Sequence, residues 1–135
     1  MTFIDKYPIL IPFIAILAAE TVKVTIDFLR KKRKKLRFLN PGGMPSGHSA
    51  FVSSLVVVVA YLEGISSVSF MISAVVALIV MYDAINLRNE AGKHAKAINK
   101  LNTKANLEES LGHNHWEVIV GAIFGALVAF ALLMA

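Results

Sequence analysis

The sequence predicts an all-α fold of the membrane type, a single domain built as a polytopic helical bundle of four transmembrane helices with an amphipathic connector. Three observations carry that expectation. Of the 135 residues 56% are hydrophobic and only 17% charged, so apolar side chains far outnumber the groups that would keep helices in water. The apolar residues fall into four long runs. The basic residues are gathered between those runs: of the 14 Lys and Arg, seven lie in Arg30 to Arg37 and five are Arg88, Lys93, Lys96, Lys100 and Lys104.

Taken in order, the helices are expected at about residues 7–30, 46–62, 65–83 and 113–135, with the connector at 84–112. A bilayer core of about 30 Å takes about 20 helical residues, with about 17 as the short limit. Ile65 to Tyr82 and Val118 to Ala135 each supply 18 residues without a charge. The runs from Tyr7 to Leu29 and from Ser49 to Leu62 qualify with their flanks. A soluble bundle would show a polar face at 3.6-residue spacing, and the two uncharged runs show little beyond serine and glycine. Only Lys6 precedes the first run, which therefore lacks the basic start of a cleaved signal peptide.

The charge pattern orients the bundle. With all four runs spanning, both basic stretches fall on one side, which the positive-inside rule makes cytoplasmic, with both termini outside and the plasma membrane as the expected location. Tyr7 and Tyr61 would mark the outer interface, Tyr82 and Trp116 the inner one. Membrane lipids are the expected partners of the basic stretches, and no nucleic acid is needed to explain a net charge of +5. Cysteine is absent, which excludes disulfides and thiolate ligands.

The first helix carries Glu20, Lys23 and Asp27 at spacings of four or three, with Arg30 three further on, so the four share one stripe. Charges at membrane depth face a bundle interior, either as an ion-pair ladder between helices or as cations turned toward a bound anion. The chain then turns at Asn40-Pro41-Gly42-Gly43. In Met44-Pro45-Ser46-Gly47-His48-Ser49, Ser46 is an N-cap and the apolar run after it is a helix. Open N–H groups at that helix start, beside turn amides near Ser46 and Gly47, suit an anion, and His48 adds a group that carries a proton near neutrality.

Residues 84–112 are polar, with Ala91, Ala95, Ile98 and Leu101 between lysines, the pattern of a helix lying at the interface. His113 and Glu117 are four apart, so the carboxylate can hold one imidazole nitrogen and leave the other open. His115 falls about 160° from Glu117 around a helix, which speaks against a metal site built from the three, and no metal is expected. Gly121 and Gly125 form a GxxxG pattern, suited to a close helix contact and to a homo-oligomer seam. Lys23, Arg30, Ser46, Gly47, His48, Arg88, His113 and Glu117 all fall at the cytoplasmic ends of the helices. Cations, helix-start amides and two imidazoles suit a tetrahedral oxyanion and phosphoryl transfer, one imidazole attacking while the other protonates a leaving group.

These residues resemble those of the divergent branch of the type 2 phosphatidic acid phosphatase and vanadium-dependent haloperoxidase superfamily. The resemblance rests on Gly42 to Ala50, on Met81-Tyr82-Asp83-Ala84 through Arg88 and Gly92, and on Gly112-His113 with Glu117-Val118 and Gly121. It implies a fold with a phosphate site in which Lys23 and Arg30 serve the first motif. His48 in the second motif protonates the leaving group. His113 in the third is the nucleophile of a phosphohistidine intermediate, oriented by Glu117. Departures are plain: Lys31 stands where the first motif has Pro, with Arg33 as another candidate for its Arg. Leu107 stands where the third motif has Arg, a role Arg88 would take over, and Glu117 replaces an Asp.

The function implied is a membrane-embedded phosphatase acting on a lipid phosphate or another phosphomonoester. It would need no cofactor, although vanadate or another oxyanion would fit the phosphate site. The rival is a non-catalytic anion-binding or structural membrane protein that keeps the fold. A transporter or channel subunit is suggested only by the charged stripe.

Overall fold

The computed structural model describes residues 6–29, 43–102 and 104–135. Among them are five α-helices and no strand: α1 Leu10–Leu29, α2 Gly47–Glu63, α3 Val68–Ile85, α4 Leu87–Leu101 and α5 His115–Leu133. Arg30, Lys31, Arg33 and the Asn40-Pro41-Gly42 part of the turn lie outside the described residues.

Local chemistry sets the boundaries. Ser46 starts α2 from an extended backbone, its Oγ accepting from the N–H of Ser49 at 3.4 Å and from the Ser49 hydroxyl at 3.0 Å. Gly64 ends α2 at φ +82°, a conformation that costs other residues steric energy. Ser67 then caps α3 by accepting from the N–H of Phe70 at 3.1 Å. The expected connector contains α4, separated from α3 by Asn86 alone. The last helix begins at His115 rather than His113, because Asn114 takes an extended backbone and closes a capping box with Glu117.

α2 is the central helix, packed against α1, α3 and α5. It runs parallel to α5, since Gly121 faces Ser46 and Gly125 faces the backbone of Ala50 one turn on. α1 runs the opposite way: Ile11 near its start packs with Val58 near the end of α2 and Ala129 near the end of α5. The GxxxG pattern therefore serves a contact within the chain, with both glycines buried against α2. A homo-oligomer seam at Gly121 and Gly125 would have to displace α2.

The distribution of side chains by size is opposite to that of a water-soluble bundle. On α3 the buried positions are Ser73, Ala77 and Ala84, while Leu78, Ile79 and Ile72 are 60–67% exposed. On α5 Gly121, Gly125 and Ala129 face inward, and Ile123, Leu127 and Phe130 face out. Small residues let the backbones close up, and the bulky apolar groups are left for a surrounding that need not be water. α3 and α5 are each long and apolar enough to cross a membrane, about 27 Å or more of helix. α2 is apolar but has 17 residues, and α1 is interrupted by its charges. Tyr82 and Trp116 are exposed at one end of the bundle, Tyr7 and Tyr61 at the other.

Candidate functional site

The starts of α2 and α5, the second half of α1, the end of α3 and the first turn of α4 meet at one end of the bundle. What holds them is a set of backbone contacts between distant segments. The N–H of Ser46 donates to the carbonyl of Glu117 at 3.1 Å, and the N–H of His113 donates to the carbonyl of Ala84 at 3.0 Å. From α4, the Asn89 side-chain amide donates to the carbonyls of Ile85 at 2.5 Å and His113 at 3.1 Å. Glycine makes these approaches feasible. A Cβ on Gly112 would run into Asn89, one on Gly92 would stand 2.5 Å from the carbonyl oxygen of Glu109, and one on Gly121 would stand 2.5 Å from that of Ser46.

His113 is buried, only 4% exposed, and its Nδ1 lies 2.9 Å from Oε2 of Glu117. The same oxygen accepts the N–H of Asn114 at 3.2 Å, while the N–H of Glu117 donates to the Asn114 side chain at 3.0 Å. The carboxylate that completes the capping box of α5 is thus the one that grips the imidazole. A carboxylate accepts, so Nδ1 carries the proton and Nε2 presents its lone pair. Nε2 has no hydrogen-bond partner among the described residues, yet every fully buried side-chain nitrogen or oxygen there has one. Nε2 therefore keeps an opening to its surroundings.

His48, in the first turn of α2, is exposed. The charges of Arg88, Glu20 and Lys23, and that of His113 when it is protonated, reach His48, so these side chains lie within electrostatic range of it. Gly47 and His48 have N–H groups without a partner among the described residues, as the first turn of a helix leaves them. Ser46 is fully buried; its hydroxyl caps α2 and its N–H is taken by Glu117, so its part is to hold the turn. Arg88 is partly exposed and steadied by Asp83, its Nε 3.3 Å from Oδ2.

Lys23 is paired with Glu20, Nζ to Oε1 at 2.5 Å, and both side chains are only 4% exposed. The stem of Lys23 passes Gly43, where a Cβ would be 3.1 Å from its Cδ and where φ is +91°. Of the expected site residues, then, the structure brings together Lys23, Gly47, His48, Arg88, His113 and Glu117, with Ser46 behind them. Arg30 lies outside the described residues. His115 points away and lines a separate groove of about 440 Å³ with Asn86, Asn89, Lys93 and Glu109.

Sequence reasoning passed over Asn89 and Asn114. Asn114 had a signal, since Asn-x-x-Glu before an apolar run is a capping-box pattern. Asn89 had none, because its bond to the carbonyl of His113 spans 24 positions.

The chain matches the divergent PAP2 family over residues 4–128. It is similar to the uncharacterized membrane protein YuiD of Bacillus subtilis (strain 168), at 34% identity over 98% of this chain and 97% of that protein. No solved structure matches.

Proposed function

The chain belongs to the divergent PAP2 family, and from that premise we propose that it is a membrane-embedded phosphatase that hydrolyses a lipid phosphate or another phosphomonoester through a phosphohistidine. The observation that carries the reading is the buried His113, gripped at Nδ1 by Glu117 with Nε2 left open, beside an exposed His48. Nε2 of His113 attacks phosphorus, the ester P–O bond breaks, and protonated His48 gives its proton to the departing alkoxide. Water then attacks phosphorus while neutral His48 accepts a proton from it, the P–N bond breaks with its electron pair returning to Nε2 of His113, and inorganic phosphate leaves. Lys23, Arg30, Arg88 and the open amides of Gly47 and His48 balance the charge on the phosphoryl oxygens. No step calls on a metal, and vanadate or tungstate would occupy the same cup.

The setting follows from the same frame. α1, α2, α3 and α5 span the membrane, α4 lies at its inner surface, and the basic stretches face the cytoplasm with both termini outside, in the plasma membrane. The outward bulky residues of α3 and α5 and the membrane character of the Bacillus relative support this placement. A second reading, a non-catalytic anion-binding protein, is favoured by Leu107 at the position of a family Arg and by the pairing of Lys23 with Glu20.

A panel of phosphomonoesters, soluble and lipid, offered to the purified protein separates the two. The phosphatase releases phosphate, His113→Ala abolishes release and any acid-labile phosphoprotein, and His48→Ala slows release. Absence of release from the unmodified protein across the panel refutes the enzyme reading.

A further inference from the structure

Glu20 belongs to none of the motifs that carry the resemblance, yet it lies deep in the site. Its side chain is 4% exposed and its Oε1 is 2.5 Å from Nζ of Lys23. It also abuts the start of α2: a Cβ on Gly47 would stand 2.6 Å from Oε1 and 3.4 Å from Cδ, so glycine is what admits the carboxylate. The charge of Glu20 acts on His48 as well. A carboxylate is thus lodged among the groups expected to receive a phosphoryl group, against the helix start and on the cation of the first motif.

We propose that Glu20 is a positioning residue that competes with an incoming phosphoryl group for Lys23 and for the opening turn of α2, and so sets how tightly the site holds phosphate. The inference rests on the anion cup of the phosphatase reading. Physically, the carboxylate is one partner of buried Lys23, at a depth where an unpaired charge is strongly disfavoured. A phosphate dianion is then bound by exchange: it must take over Lys23 while Glu20 withdraws. Such a device keeps inorganic phosphate, the product, from lingering in a site built of cations.

The test uses the full chain in detergent, with inorganic phosphate as the probe and hydrolysis measured in parallel. Removing one like charge from beside a bound anion is worth about tenfold or more, so Glu20→Gln should bind phosphate at least about tenfold more tightly. The variant should also lower KM more than it changes kcat and gain a larger thermal stabilisation from phosphate. A purely structural pair gives the opposite sign, a destabilised protein with unchanged or weaker phosphate binding. If Glu20→Gln does not fold, Glu20→Asp, which keeps the charge but withdraws it by one methylene, should shift affinity in the same direction and by less.

Phosphate affinity equal to that of the unmodified protein, in whichever variant folds, overturns the role of Glu20 even where His113→Ala still abolishes hydrolysis. Tighter binding in a protein that hydrolyses nothing sustains the role and overturns the phosphatase. Failure of every form to bind phosphate overturns the role, and overturns the phosphatase as well where no phosphate is released.

Discussion

Replacing Gly121 by alanine tests whether the contact between α2 and α5 sets the site. The new Cβ would lie 2.5 Å from the carbonyl oxygen of Ser46, 2.9 Å from its nitrogen and 3.0 Å from its Cβ. These are mostly backbone atoms of a fully buried residue, and no flexible side chain can swing away to accommodate the methyl. Restoring an ordinary contact of 3.4 Å pushes the start of α2 off α5 by about 0.9 Å. The 3.1 Å bond from Ser46 to the carbonyl of Glu117 is then stretched out of range. Overpacking of this kind costs about 1–3 kcal/mol and the lost bond about 1 kcal/mol, so the melting temperature should fall by several degrees or more.

The functional loss should exceed the loss of stability. His48 rides on α2 and His113 precedes α5, so the same shift moves the two imidazoles apart. A displacement of about 1 Å in a catalytic pair costs on the order of 100-fold in rate. Thermal melting by circular dichroism and phosphate release, both measured in detergent, check the two halves. Gly125→Ala is the comparison: its methyl would run into the carbonyl oxygen of Ala50, closer than any contact at Gly121, so it should destabilise at least as much. A Gly121→Ala protein with an unchanged melting temperature would refute the reasoning.

Glu117→Ala leaves the Asn114 cap but removes the reciprocal half of the capping box and the grip on His113 together, so it should cost up to about 1 kcal/mol of stability and about 100-fold or more in phosphate release. Glu117→Gln keeps the cap geometry, so it should regain most of the stability without the activity, which melting curves and release rates check side by side. On α4, Lys93 hydrogen-bonds Glu90 at 2.6 Å and lends it a nearby positive charge, holding that exposed carboxyl below its ordinary range. A carboxyl whose folded-state value is lowered contributes stability above its unfolded value and loses it as pH falls through the folded one. Glu90→Gln should therefore lower stability at pH 7 only slightly, as an exposed pair is worth little, and abolish a small loss of α4 helicity on acidification, read by amide exchange in that segment.

Much of this was legible because it depends on short spacings. Ser46 caps a helix as its type and place suggest, the spacing of Gly121 and Gly125 marks a close helix contact, and the pairing of His113 with Glu117 follows from a separation of four. The reason for that pairing was not legible, since His113 precedes the helix and meets Glu117 through the cap. Contacts such as His113 to Ala84 and Asn89 to His113 join segments 24 or more positions apart. They depend on how closely helices approach, which periodicity does not record. The stripe on α1 showed that Glu20 and Lys23 share a face; only the packing showed that Glu20 lies against Gly47.

The parallel course of α2 and α5 has an electrostatic consequence. Neighbouring helices that run in opposite senses cancel one another's dipoles, whereas these two bring their positive ends together, each equivalent to about half a unit charge. Side by side those ends repel, while α1 and α3, which run the other way, bring their negative ends to the same pole. The carboxylates of Glu20 and Glu117 stand close to the two positive ends from inside the protein. Any anion that settles between the two helix starts sits on both of them, and so becomes part of what keeps them abreast.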